Sequence, residues 1–233
     1  MDNASRLAVY SAQCTNVRAL EVARKQIRRA INDALRTGNL VAVDVHTKAL
    51  ALVFCAWVEA NFSKTIHTPK GFSLVEIAQI KASIRAGSVV DGWEKCIQLT
   101  FLKTAANKSN FTPNAKQRLK KCVSSLVADP SLIRNKIAHG QWIKTLNRDN
   151  TKLNPDLTAS IHSLDAVKVE MWFDCQKILS EIVELLVESP NKAFMASYWG
   201  MIEKVEQIPI DRAAWTISSK RMRLKTKRAP DRS

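Results

Sequence analysis

Apolar positions recur at three- and four-residue steps along almost the whole chain, the period of one buried helix face. Over residues 4–36 the stripe is Leu7, Tyr10, Cys14, Val17, Leu20, Ala23, Ile27, Ile31 and Leu35, with Arg18, Arg24, Lys25, Arg28 and Arg29 on the polar side. Thr37-Gly38-Asn39 predicts its end, since Gly takes the left-handed cap conformation at little cost. Residues 40–63 predict a greasier helix. Leu50, Val53, Phe54, Trp57, Val58 and Phe62 cover a wide face, the pattern of a central core helix. Pro69 and Gly71 mark a loop at 65–71, and Ser73-Leu74-Val75-Glu76 is a capping-box pattern opening a helix to about residue 85.

Gly87, Ser88, Asp91 and Gly92 interrupt the pattern, which predicts the next helix at 93–107. Pro113 suits a first helical position, and 113–127 carries the stripe Leu119, Cys122, Val123 and Leu126. Asp129-Pro130-Ser131 predicts a stop and a new short helix. Residues 141–163 read equally as a two-stranded hairpin and as an irregular loop. Strong helical periodicity returns at 164–188, with more apolar surface than one neighbour needs, so packing on two sides is expected. A further helix is expected at 190–205. The fold expected is all-α: an up-and-down helical bundle over 1–205, followed by a basic, flexible C-terminal tail, 206–233.

Composition agrees with this class. The 233 residues are 46% hydrophobic and 24% charged, enough apolar surface for a packed core. Six Gly and seven Pro are few for a protein of many turns. Charge adds a partner. Lys and Arg number 36 against 21 Asp and Glu, a formal net charge of +15. Such a chain attracts polyanions such as nucleic acid. Seven of those net charges fall in the last 22 residues, where Arg212, Lys220, Arg221, Arg223, Lys225, Lys227, Arg228 and Arg232 face only Asp231. A basic tail of this kind grips phosphates without reading sequence, or it serves only as a solvated extension.

Compartment and cofactor signals are sparse. Met1-Asp2-Asn3-Ala4-Ser5-Arg6 is polar and no apolar leader core follows, so no secretory signal is expected. The uncharged apolar run at 49–58 is about half the roughly 20 residues of a membrane span. The five cysteines, Cys14, Cys55, Cys96, Cys122 and Cys175, are scattered without a C-x-x-C pair or zinc spacing. A cytoplasmic protein with reduced thiols, no membrane contact, no cofactor and no metal site is expected.

The segment that carries chemistry is Leu132-Ile133-Arg134-Asn135-Lys136-Ile137-Ala138-His139-Gly140. On a helix, Ile133 and Ile137 lie about 40° apart and form the buried edge. Asn135 and His139 are four residues apart and share a face. Arg134 lies about 140° from His139, with Ala138 leaving a notch between them. Imidazole exchanges protons near neutrality, and guanidinium forks onto two phosphate oxygens. Those two functions meet most of what RNA cleavage needs. A base deprotonates the 2′-OH, a cation stabilises the pentavalent phosphorus, and an acid protonates the leaving 5′-oxygen. No Asp/Glu cluster of two-metal type is visible. One imidazole serves poorly as base and acid together, so either Arg and Asn share those roles or a second copy of the site contributes.

The string Arg134-Asn135-Lys136-Ile137-Ala138-His139-Gly140 resembles the signature of HEPN domains: Arg, a polar residue, then a short gap to His. The likeness continues into Gln141-Trp142 but covers only about ten residues. It implies an all-helical bundle that dimerises and faces two motifs across one cleft. It further implies a metal-independent endoribonuclease of a toxin–antitoxin or antiviral defence system, leaving 2′,3′-cyclic phosphate and 5′-hydroxyl ends. In this chain Arg134 would then stabilise the phosphate, His139 would move protons and Asn135 would orient or bind. The chain is longer than minimal HEPN domains, and the motif explains neither 141–163 nor the basic tail.

Other candidates are secondary. Lys136 and Trp142 are placed to contact RNA, Trp142 by stacking or else by packing, and Lys220, Arg221, Arg223, Lys225, Lys227 and Arg228 form the candidate basic contact. His46 reads as structural, and His67 and His162 fall in loops without a visible partner. The remaining tryptophans read mostly as core. Two alternatives to a homodimeric nuclease stand beside it: a non-catalytic RNA- or partner-binding module, and a regulatory or antitoxin-like subunit of a larger complex.

Overall fold

A computed structural model describes residues 1–104 and 111–226. The chain is an all-α helical bundle. Helix α1, Asn3–Thr37, is capped by Asp2, whose carboxylate accepts from the Ser5 N–H at 2.7 Å. Gly38 ends it at φ 77°, and the Asn39 side chain accepts from the Ala42 N–H at 3.0 Å to open α2, Leu40–Ile66. These two residues reverse the chain, so α1 and α2 pack as a helical hairpin.

Helix α2 is the centre. Phe54, Trp57, Val58 and Phe62 are buried, and Phe54 sits edge-on to Phe173 at 5.0 Å between ring centroids. Its length and composition would also suit a membrane span, a test that core helices pass. Half of its most apolar window is buried inside the bundle. Helix α3, Leu74–Ala86, begins at the expected capping box: the Ser73 N–H donates to Glu76 at 2.7 Å, and the Glu76 N–H to the Ser73 hydroxyl at 3.3 Å.

The Gly87–Gly92 interruption is shorter than expected. Helix α4 spans Val89–Phe101, with Asp91 accepting from the Ser88 N–H at 2.7 Å. Gly92 lies inside the helix because α3 comes close: a Cβ there would stand 2.4 Å from Ile84 Cγ1. The expected continuation to 107 is corrected at its end, since 102–103 form a turn, and residues 105–107 lie outside the described residues.

Asp129-Pro130 does not stop the helix. Helix α5, Phe111–Val123, passes through a π turn, Ser124–Ala128, directly into α6, Asp129–Ala138. Proline lacks an N–H and crowds the preceding turn. The wider π turn accommodates it, with the Asp129 N–H reaching Ser124 O and the Ser131 hydroxyl donating to Val127 O at 2.6 Å. This junction sets the direction of α6, the helix that carries the motif.

Residues 141–163 form a loop and a short helix, not a two-stranded hairpin. Leu146 and Leu153 make one isolated antiparallel bridge around the Asn147 turn. Helix α7, Pro155–His162, follows, capped by Asn154. Buried Thr145 fastens the loop: its hydroxyl donates to Asn154 O at 2.8 Å, and its N–H donates to the Thr158 hydroxyl at 3.0 Å.

Helix α8, Ala166–Glu188, packs against α2 on one side and α9, Ala193–Asp211, on the other, as its wide stripe requires. The expected boundary at 205 is also corrected. Residues 206–211 belong to α9, and a further helix α10, Ile217–Thr226, lies against α1 and α8. The described part of the basic segment is therefore a docked helix. Lys227, Arg228 and the rest of 227–233 lie outside the described residues.

Candidate functional site

Helix α6 presents the motif as the wheel predicts. Ile133 and Ile137 are buried and anchor it, while Asn135 and His139 are exposed and Arg134 is partly exposed. His139 is the helix C-cap. Its N–H donates to Asn135 O at 3.1 Å, and Gly140 then turns the chain at φ 77°. The glycine supplies the left-handed conformation that a following residue with a Cβ would resist.

Arg134 is already partnered. Its guanidinium pairs with Glu59 of α2 and donates to the Asn135 side-chain oxygen at 3.1 Å. Below it lies Cys55, a thiol that burial pushes up to about 12 although the Arg134 charge acts the other way. That thiol is protonated at neutral pH and is no nucleophile.

Arg134 and Asn135 line a groove of about 760 Å³ between α2, the α3–α4 turn and α6. Glu59, Ser63, Lys81 and Ser131 supply further polar lining, and Ile66, Ile84 and the exposed Leu132 apolar lining. His139 is not among the lining residues. One chain therefore sets guanidinium and amide on a groove wall and imidazole at the helix end beyond it.

The other candidates divide. Lys136 donates its ammonium to Leu146 O at 2.5 Å and ties the following loop to α6. Trp142 packs against the core edge, donates its indole N–H to Ile137 O at 2.9 Å, and lies under the buried Lys48 ammonium at 5.8 Å. Both hold the motif's C-terminal side while remaining partly exposed, and for Trp142 packing is the role seen in this structure. Arg221 covers the α1–α2 turn: a Cβ on Gly38 would stand 2.8 Å from its Nη2. Lys220 and Arg223 instead line a separate pocket, and Lys225 is exposed.

His67 is also corrected. It is buried at the end of α2, its Nδ1–H donating to Ser63 O at 2.6 Å, with Nε2 enclosed and unpaired. Trp199 and Trp215 are 45% and 46% exposed, not core. Glu59 and Lys81 were not singled out from the sequence. No local pattern marks them, because Glu59 meets Arg134, and Lys81 faces the same groove, only through the packing of helices distant in sequence. Among the described residues, no group of three His, Cys, Asp or Glu could hold a metal ion. Neither a family model, a curated protein nor a solved structure matches this chain, so the reading of the site rests on its own residues and geometry.

Proposed function

We propose that this protein is a metal-independent endoribonuclease of HEPN type, acting as a homodimer in a toxin–antitoxin or antiviral defence role. The observation that carries the reading is the shared placement of Arg134, Asn135 and His139. All three reach solvent from the last turns of one short helix, Arg134 and Asn135 on the wall of an open groove and His139 at the helix end beyond it. In the proposed step the 2′-oxygen attacks phosphorus and the P–O5′ bond breaks. His139 of one copy takes the 2′-OH proton, and its counterpart in the second copy supplies a proton to the leaving 5′-oxygen. Arg134 neutralises the charge gathering on the phosphoryl oxygens. A two-fold pairing of α6 ends would bring together what a single chain holds apart. Restraint by an antitoxin or regulatory protein fits a nuclease of this kind.

The test is wild type against Arg134→Ala and His139→Ala on total RNA with excess chelator. Loss of cleavage in both folded variants, with 2′,3′-cyclic phosphate ends from the wild type, supports the reading. Equal cleavage in all three sinks it. The Arg134–Glu59 pair favours a second reading, a non-catalytic RNA-binding module, because a guanidinium held by a carboxylate is less free to serve a phosphate. Salt-sensitive binding without cleavage would select that reading.

A further inference from the structure

Away from the motif, α10 closes a second cavity of about 270 Å³ against α1 and α8. Arg28, Arg212, Trp215, Lys220 and Arg223 line it, together with Glu170 and Asp174. The two carboxylates are taken. Glu170 pairs with Arg24 at 2.6 Å, and Asp174 pairs with Arg24 at 3.2 Å and with Arg212 at 2.8 Å. Arg28 comes within only 4.0 Å of Glu170, and among the described residues Lys220 and Arg223 have no carboxylate within salt-bridge reach. Arg24 stands behind the wall, so cations outnumber acids in and around the cavity.

The aromatic element is Trp215. It follows the end of α9, is 46% exposed, and carries guanidinium groups of Arg212 and Arg223 at 5.0 and 5.3 Å from its ring centroid. Half-buried Lys220 faces the same space. Burial, with the nearby Arg28 charge, holds its ammonium below the usual lysine range against the pull of Glu170 and Asp165, so an added anion would relieve it. An aromatic surface beside Lys220 and Arg223, cations without a carboxylate partner among the described residues, matches a nucleotide, whose base stacks while its phosphate is neutralised.

We propose that this cavity is a docking subsite for one nucleotide unit of single-stranded RNA, with Trp215 as the stacking surface and Arg28, Lys220 and Arg223 as phosphate contacts. It rests on the reading of RNA as the protein's polyanion, and it does not depend on cleavage. It deepens that reading by placing affinity on a face formed by α1, α8 and α10, apart from the α6 groove.

The test uses full-length protein carrying His139→Ala, titrated with a fluorescent single-stranded 12-mer RNA. Adding Trp215→Ala is expected to weaken binding at least about fivefold, while Trp215→Phe retains most of the affinity. Lys220→Ala and Arg223→Ala are each expected to reduce the log–log salt slope by about 0.7. Trp199→Ala, an equally exposed tryptophan on another face, is the control. Unchanged affinity in Trp215→Ala, or an equal loss in Trp199→Ala, overturns the subsite. Trp215-dependent binding by a wild type that cleaves nothing keeps the subsite and removes the nuclease. Cleavage by wild type with Trp215-independent binding does the reverse.

Discussion

Glu59 on α2 and Arg134 on α6 form an ion pair across 75 positions of chain, and Arg134 uses its other arm on the Asn135 side chain. Their side chains are 45% and 32% exposed, so the pair is wet and its net contribution to folding is small, about 0–1 kcal/mol. Under the proposed function its weight lies at the groove. It fixes the guanidinium on the groove wall, and it places a negative charge beside the cation that the proposed reading assigns to a phosphate.

Glu59→Gln separates those effects. The amide keeps the shape and can still accept a hydrogen bond, but it removes the carboxylate's repulsion of RNA. Melting temperature is expected to change little, while affinity for single-stranded RNA at low salt rises by about three- to tenfold. Arg134→Ala should lower affinity from the same starting point. Anisotropy titrations beside thermal melts read both quantities. A Glu59→Gln protein that binds RNA more weakly would mean that the carboxylate serves to present Arg134, not to oppose its ligand.

The Gly92 position tests the packing of α3 on α4. Gly92→Ala gains about 1 kcal/mol of helix propensity. Against that, the new methyl would stand 2.4 Å from Ile84 Cγ1 and 3.3 Å from Phe62, which is itself buried and stacked on Trp93 at 4.6 Å. Overpacking of this kind costs about 1–3 kcal/mol. The net expectation is destabilisation by about 1 kcal/mol in urea unfolding, with recovery in Gly92→Ala/Ile84→Ala relative to Ile84→Ala alone. A stabilised single variant would refute the close approach.

These particulars show where the sequence was readable. The stripes of α2 and α8 were legible because long apolar repeats bury whole faces whatever surrounds them, while that of α1 is fully buried only at its C-terminal end, at Ile31 and Leu35. Gly92 read as a breaker because a missing side chain looks the same whether it permits a turn or admits a neighbouring helix. Asp129-Pro130 read as a stop because the one-residue π adjustment that absorbs the proline leaves no composition signal. In the site, Arg134, Asn135 and His139 were legible as a local string. Glu59 was not, since its pairing exists only after α2 and α6 pack. The basic segment reads as a loose tail, because charge density hides the anchors Ile217 and Leu224 that pack α10 against the bundle.

The loop after the motif depends on two bonds from α6. Lys136 holds Leu146 O, and the Trp142 indole holds Ile137 O. Lys136→Met keeps the aliphatic stem and loses the donor, while Trp142→Phe keeps most of the packing and loses the N–H. Each is expected to cost about 1 kcal/mol. Faster hydrogen exchange should be confined to 139–154 and the last turn of α6. Exchange that rises equally across α1, α2 and α8 would contradict a local tether.

His67 predicts an acid-side loss of stability. Its pKa is lowered from 6.5, chiefly by burial, and the Lys81 and Arg6 charges add to this while the hydrogen bond to Ser63 O opposes it. With Nδ1–H donating to Ser63 O, a second proton would go to Nε2, which is enclosed without a partner. The unfolded chain therefore binds more protons than the folded one below about 6.5. Stability from this group is complete above that pH and falls as pH drops through it, levelling off once the folded-state histidine also titrates. Urea midpoints measured from pH 8 down to pH 5 should decline more steeply in wild type than in His67→Gln, whose side chain cannot take the proton. The Glu206 and Glu76 carboxylates, engaged by Arg118 and Lys103, are held below the usual carboxylate range, so they do not contribute to the comparison above pH 5. Parallel pH profiles for the two proteins would mean that His67 reaches water in solution and is not enclosed at the end of α2.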